Sequence, residues 1–350
     1  MSKLLSRIWR WLGNSAFGDR FVSWRNQRPD LVQLRNNSID SREMRHVVTW
    51  DQFVSPPTLG DLVEVMMLAR WIASQGRTTL FVVVTGEYRQ DWSLSDHKIF
   101  ESSQIEVAKR FALRNEIDVL QMTWDEFETQ ILNDPNSYVV FRNQVRIRRE
   151  LYTRSLSLLN RLVAKDKDKE KRRDQWLLES SELSTSALNS SKIFMDGEYV
   201  AWGVRNRAVS PERNIGESEF RLLYLALLNR SHGLPIVIVS DRESCEFFKK
   251  VAHKFGFVCL FSADYSESFL DDAAIALGGR IFFQVRGGGM GEVALYSKLP
   301  FEMSYTLSPP RKTIRKSQIT AWQTSQQIFN ELDSQDMSLH LPKFDLRNVL

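Results

Sequence analysis

The chain has 350 residues, of which 43% are hydrophobic and 26% are charged. These proportions are typical of globular proteins and exclude a largely disordered, collagen-like or coiled-coil chain. A chain of this length is expected to form two domains of ordinary size. The two cysteines, Cys245 and Cys259, cannot make a disulfide framework, so reduced thiols are the default expectation.

A net charge of only +4 hides two basic segments. Residues 1–50 hold nine basic and four acidic side chains, and residues 142–173 hold twelve basic and four acidic ones. The remainder of the chain is therefore acidic. Two basic segments on an acidic body indicate an anionic partner.

Residues 1–12 have the pattern of a short amphipathic helix. Apolar side chains recur at the spacing of one helical face, and the cations fall on the opposite side. The apolar positions are Leu5, Ile8, Trp9 and Leu12, and the cations are Lys3, Arg7 and Arg10. Such a helix either lies in the interface of an anionic membrane or packs against the body of the protein.

The sequence contains no apolar run of transmembrane length. Its first residues lack the apolar region and the cleavage site of a secretory signal. We therefore expect a cytoplasmic protein. If residues 1–12 and 142–173 bind anionic lipid, the protein is peripheral on the inner face of the cytoplasmic membrane.

Residues 46–84 have the pattern of one βαβ unit, in which a strand, a loop, a helix and a second strand follow one another. In the first half of the chain, strands are predicted at 46–50, 80–84, 117–122 and 138–141, and helices at 62–73 and 124–133. Residues 142–185 contain no glycine or proline and suit one long basic helix. The serine-rich residues 180–191 indicate a linker or a domain boundary.

The second half of the chain repeats the alternation of strands and helices. Strands are predicted at 199–204, 235–239, 257–260 and 281–285, and helices at 217–230, 242–255, 267–277 and 292–297. This alternation predicts an α/β fold with parallel sheets. The predicted organisation is an amphipathic segment, two α/β domains, and a C-terminal helix at 313–332 with its tail. The corresponding ranges are 1–40, 41–185, 192–312 and 313–350.

Polar residues beyond the carboxyl ends of the strands are the candidate site residues, because ligands of parallel α/β sheets bind there. Arg205, Asn206 and Arg207 follow the first strand of the second half, and Arg213 and Asn214 come shortly after. A guanidinium donates two hydrogen bonds to a phosphate, so these arginines suit a pyrophosphate. The alternative is a solvated loop with surface ion pairs.

Two later strands of the second half also end in candidate residues. Ser240 and Asp241 follow one of them, and Asp241 either binds ribose hydroxyls or caps the next helix. After the other strand the backbone N–H groups of a glycine-rich loop suit an anion, or the loop is a tight turn. This loop matches neither the dinucleotide-binding fingerprint nor the P-loop. Its residues are Gly287, Gly288, Gly289, Gly291 and Glu292.

The first half of the chain offers Asp61 as a candidate general base. Gly60 and Asp61 lie at the start of a predicted helix, where the glycine permits close approach of a ligand. A carboxylate in this place serves as a base or simply caps the helix. Glu87 and His97 follow the strand at 80–84 and are predicted to lie at the same edge of the sheet.

Several kinds of site are missing from the sequence. The five histidines form no i, i+4 pair, and no G-x-S-x-G elbow occurs. We therefore expect neither a bound metal nor a resident cofactor. A nucleic-acid-binding protein and a dinucleotide-dependent oxidoreductase are disfavoured, because no nucleic-acid module and no dinucleotide fingerprint are visible.

The layout resembles that of GT-B glycosyltransferases, and in detail the fucosyltransferase-like group and related bacterial surface-polysaccharide transferases. The matching segments are 200–205, 240–241, 268–272 and 287–292. In that group a strand ends in an arginine that contacts the donor phosphate, and Arg205 occupies the corresponding place. This chain departs from the group at Gly203, where a histidine is common, and in the last loop, where glycine replaces serine.

The resemblance implies two Rossmann-like domains that face each other across a cleft, with a C-terminal crossover helix. It also implies metal-independent transfer of a sugar from a nucleotide-sugar donor to a lipid-linked or polysaccharide acceptor. In this family role, Arg205, Arg213 and the backbone of 287–291 stabilise the leaving diphosphate, and Asp241 or Asp272 binds the nucleoside. Asp61 acts as the general base, and Gly60, Glu87 and His97 lie on the acceptor side. The alternative is a non-catalytic nucleotide or sugar-phosphate binding protein of the same fold.

Overall fold

The computed structural model divides into two compact units, Met1–Leu159 and Asn160–Leu350. The described residues are 44–53, 55, 58–88, 94–134, 136–141, 168–183, 198–207, 214–285, 289–297, 299 and 301–304. The predicted helices at 1–12 and 313–332 and most of the basic segment 142–173 lie outside these residues. The predicted domain limits stay a prediction.

The first unit contains a parallel sheet, which confirms the α/β prediction. The strands are β1 (Arg45–Asp51), β2 (Thr79–Thr85), β3 (Asp118–Thr123) and β4 (Tyr138–Phe141). Their order is β3-β2-β1-β4, and all neighbours are parallel. The helices are α1 (Leu59–Ala73), α2 (Leu94–Ala112) and α3 (Trp124–Phe127), and α3 continues as a π-helical turn at Glu128–Leu132.

The central strands of this unit are largely apolar in sequence because they are buried on both faces. All seven residues of β2 and six of the seven in β1 are buried, as expected for parallel strands covered on both faces. Helix α2 was not predicted, and Val107, Ala108, Phe111 and Ala112 in its second half are buried. The predicted helix at 124–133 exists but changes from α to π geometry after Phe127.

The second unit contains a five-stranded parallel sheet in the order β7-β6-β5-β8-β9. Its strands are β5 (Val200–Gly203), β6 (Ile236–Val239), β7 (Leu260–Phe261), β8 (Ile281–Val285) and β9 (Phe301–Ser304). Its helices are α4 (Lys169–Trp176), α5 (Ser180–Leu183), α6 (Glu217–Arg230), α7 (Arg242–Phe255), α8 (Phe269–Gly278) and α9 (Gly289–Leu295).

A stack of aromatic rings joins the sheet of this unit to two helices. Phe220 of α6 stacks on Trp202 of β5 with 4.9 Å between ring centroids, and on Phe248 of α7 with 4.7 Å. All three side chains are fully buried. The stack fixes the start of α7, and with it the polar residues that follow β6, relative to β5.

The strand order places a crevice between β5 and β8. Consecutive strands run to one side from β5 through β6 to β7, and the next connection crosses back to β8 on the other side. Such a reversal is the point at which parallel α/β sheets bind ligands, beyond the carboxyl ends of the strands. The first unit has the same reversal between β1 and β4.

Several predictions for the second unit need correction. The predicted strand at 257–260 is only the pair Leu260–Phe261, β9 was not predicted, and α9 begins at Gly289 instead of residue 292. The predicted helix over 142–185 is interrupted between Trp176 and Ser180. Ser180 opens α5 and donates a hydrogen bond from Oγ to the carbonyl of Ala274 at 2.8 Å, so it packs on α8 instead of starting a free linker.

Helices of the described part of the chain are all too short or too polar to cross a membrane.

Candidate functional site

The segment 204–207 leaves β5 beside the crevice of the second sheet. Gly203 pairs in register with Gln284 of β8, and the Gln284 side chain lies over its Cα. A Cβ at position 203 would overlap Oε1 of Gln284 and would lie 2.8 Å from Cζ of Phe282. A side chain at this position would have to displace Gln284 and Phe282, so glycine suits it. Arg205 follows two residues later and is 7% exposed.

Side-chain amides hold this segment rigidly at its far end. Asn214 accepts a hydrogen bond from the backbone N–H of Arg207 at Oδ1 (3.1 Å) and donates one from Nδ2 to the Arg207 carbonyl (2.7 Å). Asn206 donates from Nδ2 to the carbonyl of Ile215 at 3.0 Å. The carbonyl of Arg205 accepts from the N–H of Ile215 at 3.1 Å. Predicted residue Asn214 therefore lies in the site and shapes its backbone, while Arg213 lies outside the described residues.

Asp241 both caps α7 and faces Arg207. Its Oδ1 accepts from the backbone N–H of Ser244 at 3.0 Å, which is an N-cap hydrogen bond. Its Oδ2 lies 3.6 Å from Nη1 of Arg207, and both side chains are about one third exposed, at 35% and 36%. Asp241 therefore caps α7 as one interpretation of the sequence predicted, and its second oxygen, Oδ2, faces Arg207.

Ser244 connects the two strand ends. Its Oγ lies 3.0 Å from the backbone N of Asn206, from which it accepts a hydrogen bond, and 3.1 Å from Oδ2 of Asp241. Ser240 donates from Oγ to the carbonyl of Val204 at 2.6 Å. Two hydroxyls therefore tie the exit of β6 to the exit of β5, and the predicted residues Arg205, Asn214, Ser240 and Asp241 come together.

Asp272 adjoins this group through a series of hydroxyls at the end of β7. Ser262 accepts from the N–H of Ser240 at 3.3 Å, and Ser266 donates to Oδ1 of Asp272 at 2.8 Å. Burial raises the pKa of Asp272 from 3.8 to about 6, and the nearby charges of Asp271 and Asp241 add to the increase. Hydrogen bonds from Ser262 and Ser266 oppose it. This carboxyl therefore changes its protonation near neutral pH.

The glycine-rich segment is only partly described. Gly287 and Gly288 lie outside the described residues, while Gly289 is the first residue of α9. Gly291 and Glu292 lie inside that helix, and Glu292 is 4% exposed. The prediction of a loop through residue 291 is therefore wrong, because the helix begins three residues earlier than expected.

The predicted residues of the first unit lie after β1 and β2. Asp61 is the third residue of α1 and accepts a hydrogen bond at Oδ2 from the hydroxyl of Thr58, and Gly60 is its neighbour in the helix. Glu87 follows β2, and His97 lies in the first turns of α2. Because β1 and β2 are parallel, the segments that follow them lie at the same edge of the first sheet. Asp61 and Arg205 belong to separate units.

Sequence reasoning missed three serines that build the site: Ser244, Ser262 and Ser266. Ser244 stands three residues after the helix-capping Asp241, which is the spacing of a side chain bonded to a cap. Ser262 comes directly after β7, whose predicted position was two residues too early. These two signals were available in the sequence, whereas the contact of Ser266 with Asp272 depends on the turn before α8.

Neither cysteine has the properties of a nucleophile. Burial raises the pKa of Cys245 to about 11 and that of Cys259 to about 12, so both thiols stay protonated at neutral pH. Within the described ranges, no group of three or more histidine, cysteine or acidic side chains is arranged to hold a metal ion.

No protein-family model and no curated protein matches the sequence. Among solved structures, the chain is similar to a glycosyl transferase family 9 protein from Veillonella parvula DSM 2008, with 14% identity and a TM-score of 0.46. The match covers 78% of this chain and 83% of that one.

It is also similar to the ADP-heptose LPS heptosyltransferase II of E. coli, with 12% identity, a TM-score of 0.40, and coverage of 83% and 98%. At TM-scores this low neither likeness identifies an activity. Neither structure is described as fucosyltransferase-like, so that resemblance stays a prediction.

Proposed function

We propose that this protein is a glycosyltransferase that moves a sugar from a nucleotide-sugar donor to a lipid-linked or polysaccharide acceptor, in cell-surface polysaccharide biosynthesis. The observation that carries the proposal is the rigid arginine segment 205–207 at the crevice of a parallel sheet. Its cations, the Asp241 carboxylate and the hydroxyls beyond β6 and β7 are the groups that bind the phosphates and ribose of a nucleotide.

The transfer itself needs a cation for the leaving group and a base for the acceptor. The bond between the sugar C1 and the donor phosphate oxygen breaks, and the diphosphate leaves with the electron pair. The acceptor oxygen bonds to C1 and gives its proton to a base. Arg205 and Arg213, with backbone N–H groups of 287–291, would stabilise the charge that develops on the diphosphate. In this proposal those groups act without a metal ion.

The remaining groups of the second unit suit the nucleoside. Asp241 has an oxygen that is not used for capping, and Ser240 stands beside it at the end of β6. Asp272 titrates near pH 6, so at neutral pH it can accept a hydrogen bond from a ribose hydroxyl or a base N–H. Either carboxyl is proposed to hold the nucleoside.

The acceptor is proposed to meet the first unit, where Asp61 would act as the base near Gly60, Glu87 and His97. Residues 1–12 and 142–173 would hold the protein on an anionic membrane surface, on the inner face of the cytoplasmic membrane. Lipid-linked acceptors reside at that surface, so the basic segments and the proposed activity support each other.

One observation favours the alternative of a non-catalytic nucleotide or sugar-phosphate binding protein. Asp61 accepts a hydrogen bond from Thr58 at the start of α1, which is a sufficient structural reason for a carboxylate there. Without a base at this position the second unit would bind a donor but transfer nothing. Release of nucleoside diphosphate from nucleotide-sugars separates the two functions.

The test is a thermal-shift panel in metal-free buffer with GDP, UDP, CMP, ADP, TDP and a short oligonucleotide. A nucleotide that binds only the native protein at one hundred times its Kd adds about 2.7 kcal/mol of stability, which raises Tm by several degrees. We expect one nucleotide to stabilise the wild type and to fail with Arg205→Ala. Because Arg205 is buried, Arg205→Lys is measured beside it, and Lys250→Ala removes an exposed cation as the matched control.

Stabilisation by no nucleotide, or by the oligonucleotide alone, would contradict the proposed donor site. The basic segments 1–50 and 142–173 would then be the functional surface.

A further inference from the structure

We infer that Arg207 is a second ligand of the donor diphosphate, and that Asp241 is an exchangeable counter-ion which the diphosphate displaces. The inference rests on the proposed function of the site. Arg207 belongs to the arginine group that suits a pyrophosphate, and the exchange with Asp241 is the new element. Its side chain is 36% exposed, so unlike that of Arg205 it can be reached from solvent without any movement of the sheet.

The guanidinium of Arg207 has donors to spare. Its Nη1 lies 3.6 Å from Oδ2 of Asp241, which is longer than the 2.7–2.9 Å of a charge-assisted hydrogen bond. Its Nε–H is buried and has no acceptor within the described part of the chain. After a change of side-chain rotamer, two oxygens of a diphosphate can meet Nε and an Nη in the bidentate geometry that arginine favours.

Hydrogen bonds fix the backbone of Arg207, although its side chain makes only a long ion pair with Asp241. Asn214 makes two hydrogen bonds to the N–H and carbonyl of this residue. Ser244 fixes the preceding N–H of Asn206. Exchange of Asp241 for a phosphate therefore requires a change of side-chain rotamer only, and the loss of a half-exposed ion pair costs little.

Asp241 continues to cap α7 throughout the exchange. Its Oδ1 caps α7 through the N–H of Ser244, while Oδ2 accepts from the Ser244 hydroxyl and faces Arg207. The two oxygens thus separate the capping role from the ionic one. The capping role survives in asparagine, which is as good an N-cap as aspartate, whereas the charge does not.

The decisive variant is therefore Asp241→Asn, titrated by calorimetry with inorganic pyrophosphate and with ADP, GDP and UDP in metal-free buffer at low salt. Removal of the competing carboxylate should tighten pyrophosphate binding about threefold to tenfold, because one negative charge beside the ligand is lost. Glu246→Gln removes a carboxylate from the exposed side of the same helix and should change the affinity less than twofold.

Arg207→Ala should weaken pyrophosphate binding tenfold or more, as expected for the loss of a charge-assisted hydrogen bond, and Arg207→Lys should recover part of it. Lys250→Ala is the control for the lost cation. In the double variant Arg207→Ala, Asp241→Asn the gain from Asp241→Asn should be smaller, since the carboxylate then repels the ligand but no longer has a cation to release.

Each contrary result has a distinct meaning. Weaker nucleotide binding by Asp241→Asn with unchanged pyrophosphate binding would show that Asp241 holds the nucleoside and would overturn the exchange. If Arg205→Lys weakens binding while the Arg207 and Asp241 variants do not, the inference is wrong and the proposed function stands. If wild type binds neither pyrophosphate nor any of the three nucleotides, both are wrong.

Discussion

At the scale of single residues, Asp272 and His46 both carry shifted pKa values, and burial is the larger cause in each. Asp272 is raised to about 6 beside two other carboxylates, and His46 is lowered to about 4 beside Arg77. The first lies within the candidate site and the second lies at the start of β1, away from it. Both shifts predict how stability depends on pH.

Replacement of Asp272 by asparagine should stabilise the protein at neutral and alkaline pH. Since the folded pKa of about 6 exceeds the ordinary 3.8, the protonated carboxyl favours the folded state. That contribution is complete below pH 3.8 and is lost as the pH rises through 6. Asp272→Asn should therefore gain about 2 kcal/mol at pH 8, after allowance for partial solvent screening, and almost nothing near pH 4. Urea unfolding at both pH values measures this, and an equal gain at both would contradict the assigned pKa.

His46 should remain neutral until the solution is strongly acidic. It is fully buried, and its Nε2 lies 2.9 Å from Nη1 of Arg77, which donates to it. Burial, together with the charge of Arg77, disfavours protonation in the folded state, whereas the unfolded chain takes up the proton near pH 6.5, so stability should fall by roughly 3 kcal/mol as the pH drops from 6.5 to 4. NMR titration of the His46 ring should show a higher pKa in Arg77→Gln, still below 6.5 because burial remains. An unchanged pKa would refute the contribution of Arg77.

At the scale of elements, the start of α7 gives the cleanest test of a cap. Asp241→Ala removes the acceptor of the Ser244 N–H and should cost about 1 kcal/mol of stability, whereas Asp241→Asn should cost only a few tenths. The comparison is made by chemical unfolding of the ligand-free protein. Equal losses in the two variants would mean that the charge, and not the cap, stabilises this helix end.

Strand β5 should not tolerate a side chain at residue 203. In Gly203→Ala the new methyl group must displace Gln284 and the Phe282 ring, both on the neighbouring strand β8. We expect a loss of about 1–3 kcal/mol and a weaker affinity for pyrophosphate, because Arg205 follows directly. Gly216→Ala, where a Cβ meets no neighbour, is the control. A Gly203→Ala protein as stable as wild type would show that Gln284 can move aside.

The sequence predicts those elements whose burial is continuous. Strand β8 and helices α6 and α7 have the predicted limits, because each is a clear apolar run or an amphipathic pattern bounded by turn residues. Helix α2 escaped prediction because its first part mixes a few apolar residues with many polar ones and shows no clear periodic face. Strand β9 begins directly after Pro300 and is only four residues long, which is too short for a periodic signal.

The sequence predicts which strand ends form the site, but not the hydrogen bonds that connect them. Parallel sheets bring the residues after β5 and β6 together whatever the loops between them, so Arg205, Ser240 and Asp241 could be grouped from the sequence alone. The hydrogen bonds of Ser244 and Asn214 to the arginine segment depend on loop geometry that no periodicity encodes. Gly289 was assigned to a loop because glycine is a poor helix former, yet it begins α9.

At the scale of the whole molecule, the two units should respond to acid in opposite directions. Each has its own parallel sheet, and His46 belongs to the first while Asp272 belongs to the second. Between about pH 7 and pH 4.5, the unfolded chain protonates His46 while the folded first unit does not, which destabilises that unit, and the folded second unit protonates Asp272, which stabilises it. Scanning calorimetry should resolve the two effects, with Arg77→Gln altering the pH dependence of one transition and Asp272→Asn that of the other. A single transition altered alike by both variants would contradict this.

The double hydrogen bond between Asn214 and Arg207 makes the residues between them, apart from the proposed diphosphate ligand Arg213, an exchangeable insert. Both ends of that stretch are pinned at one point of the scaffold, so its length and composition can change while the arginine segment stays in place. The entropy of closing a loop grows only with the logarithm of its length, so insertions here cost little. Selection could therefore diversify what the protein recognises beside the crevice without rebuilding the crevice itself, and an engineer could graft new loops at the same two anchors.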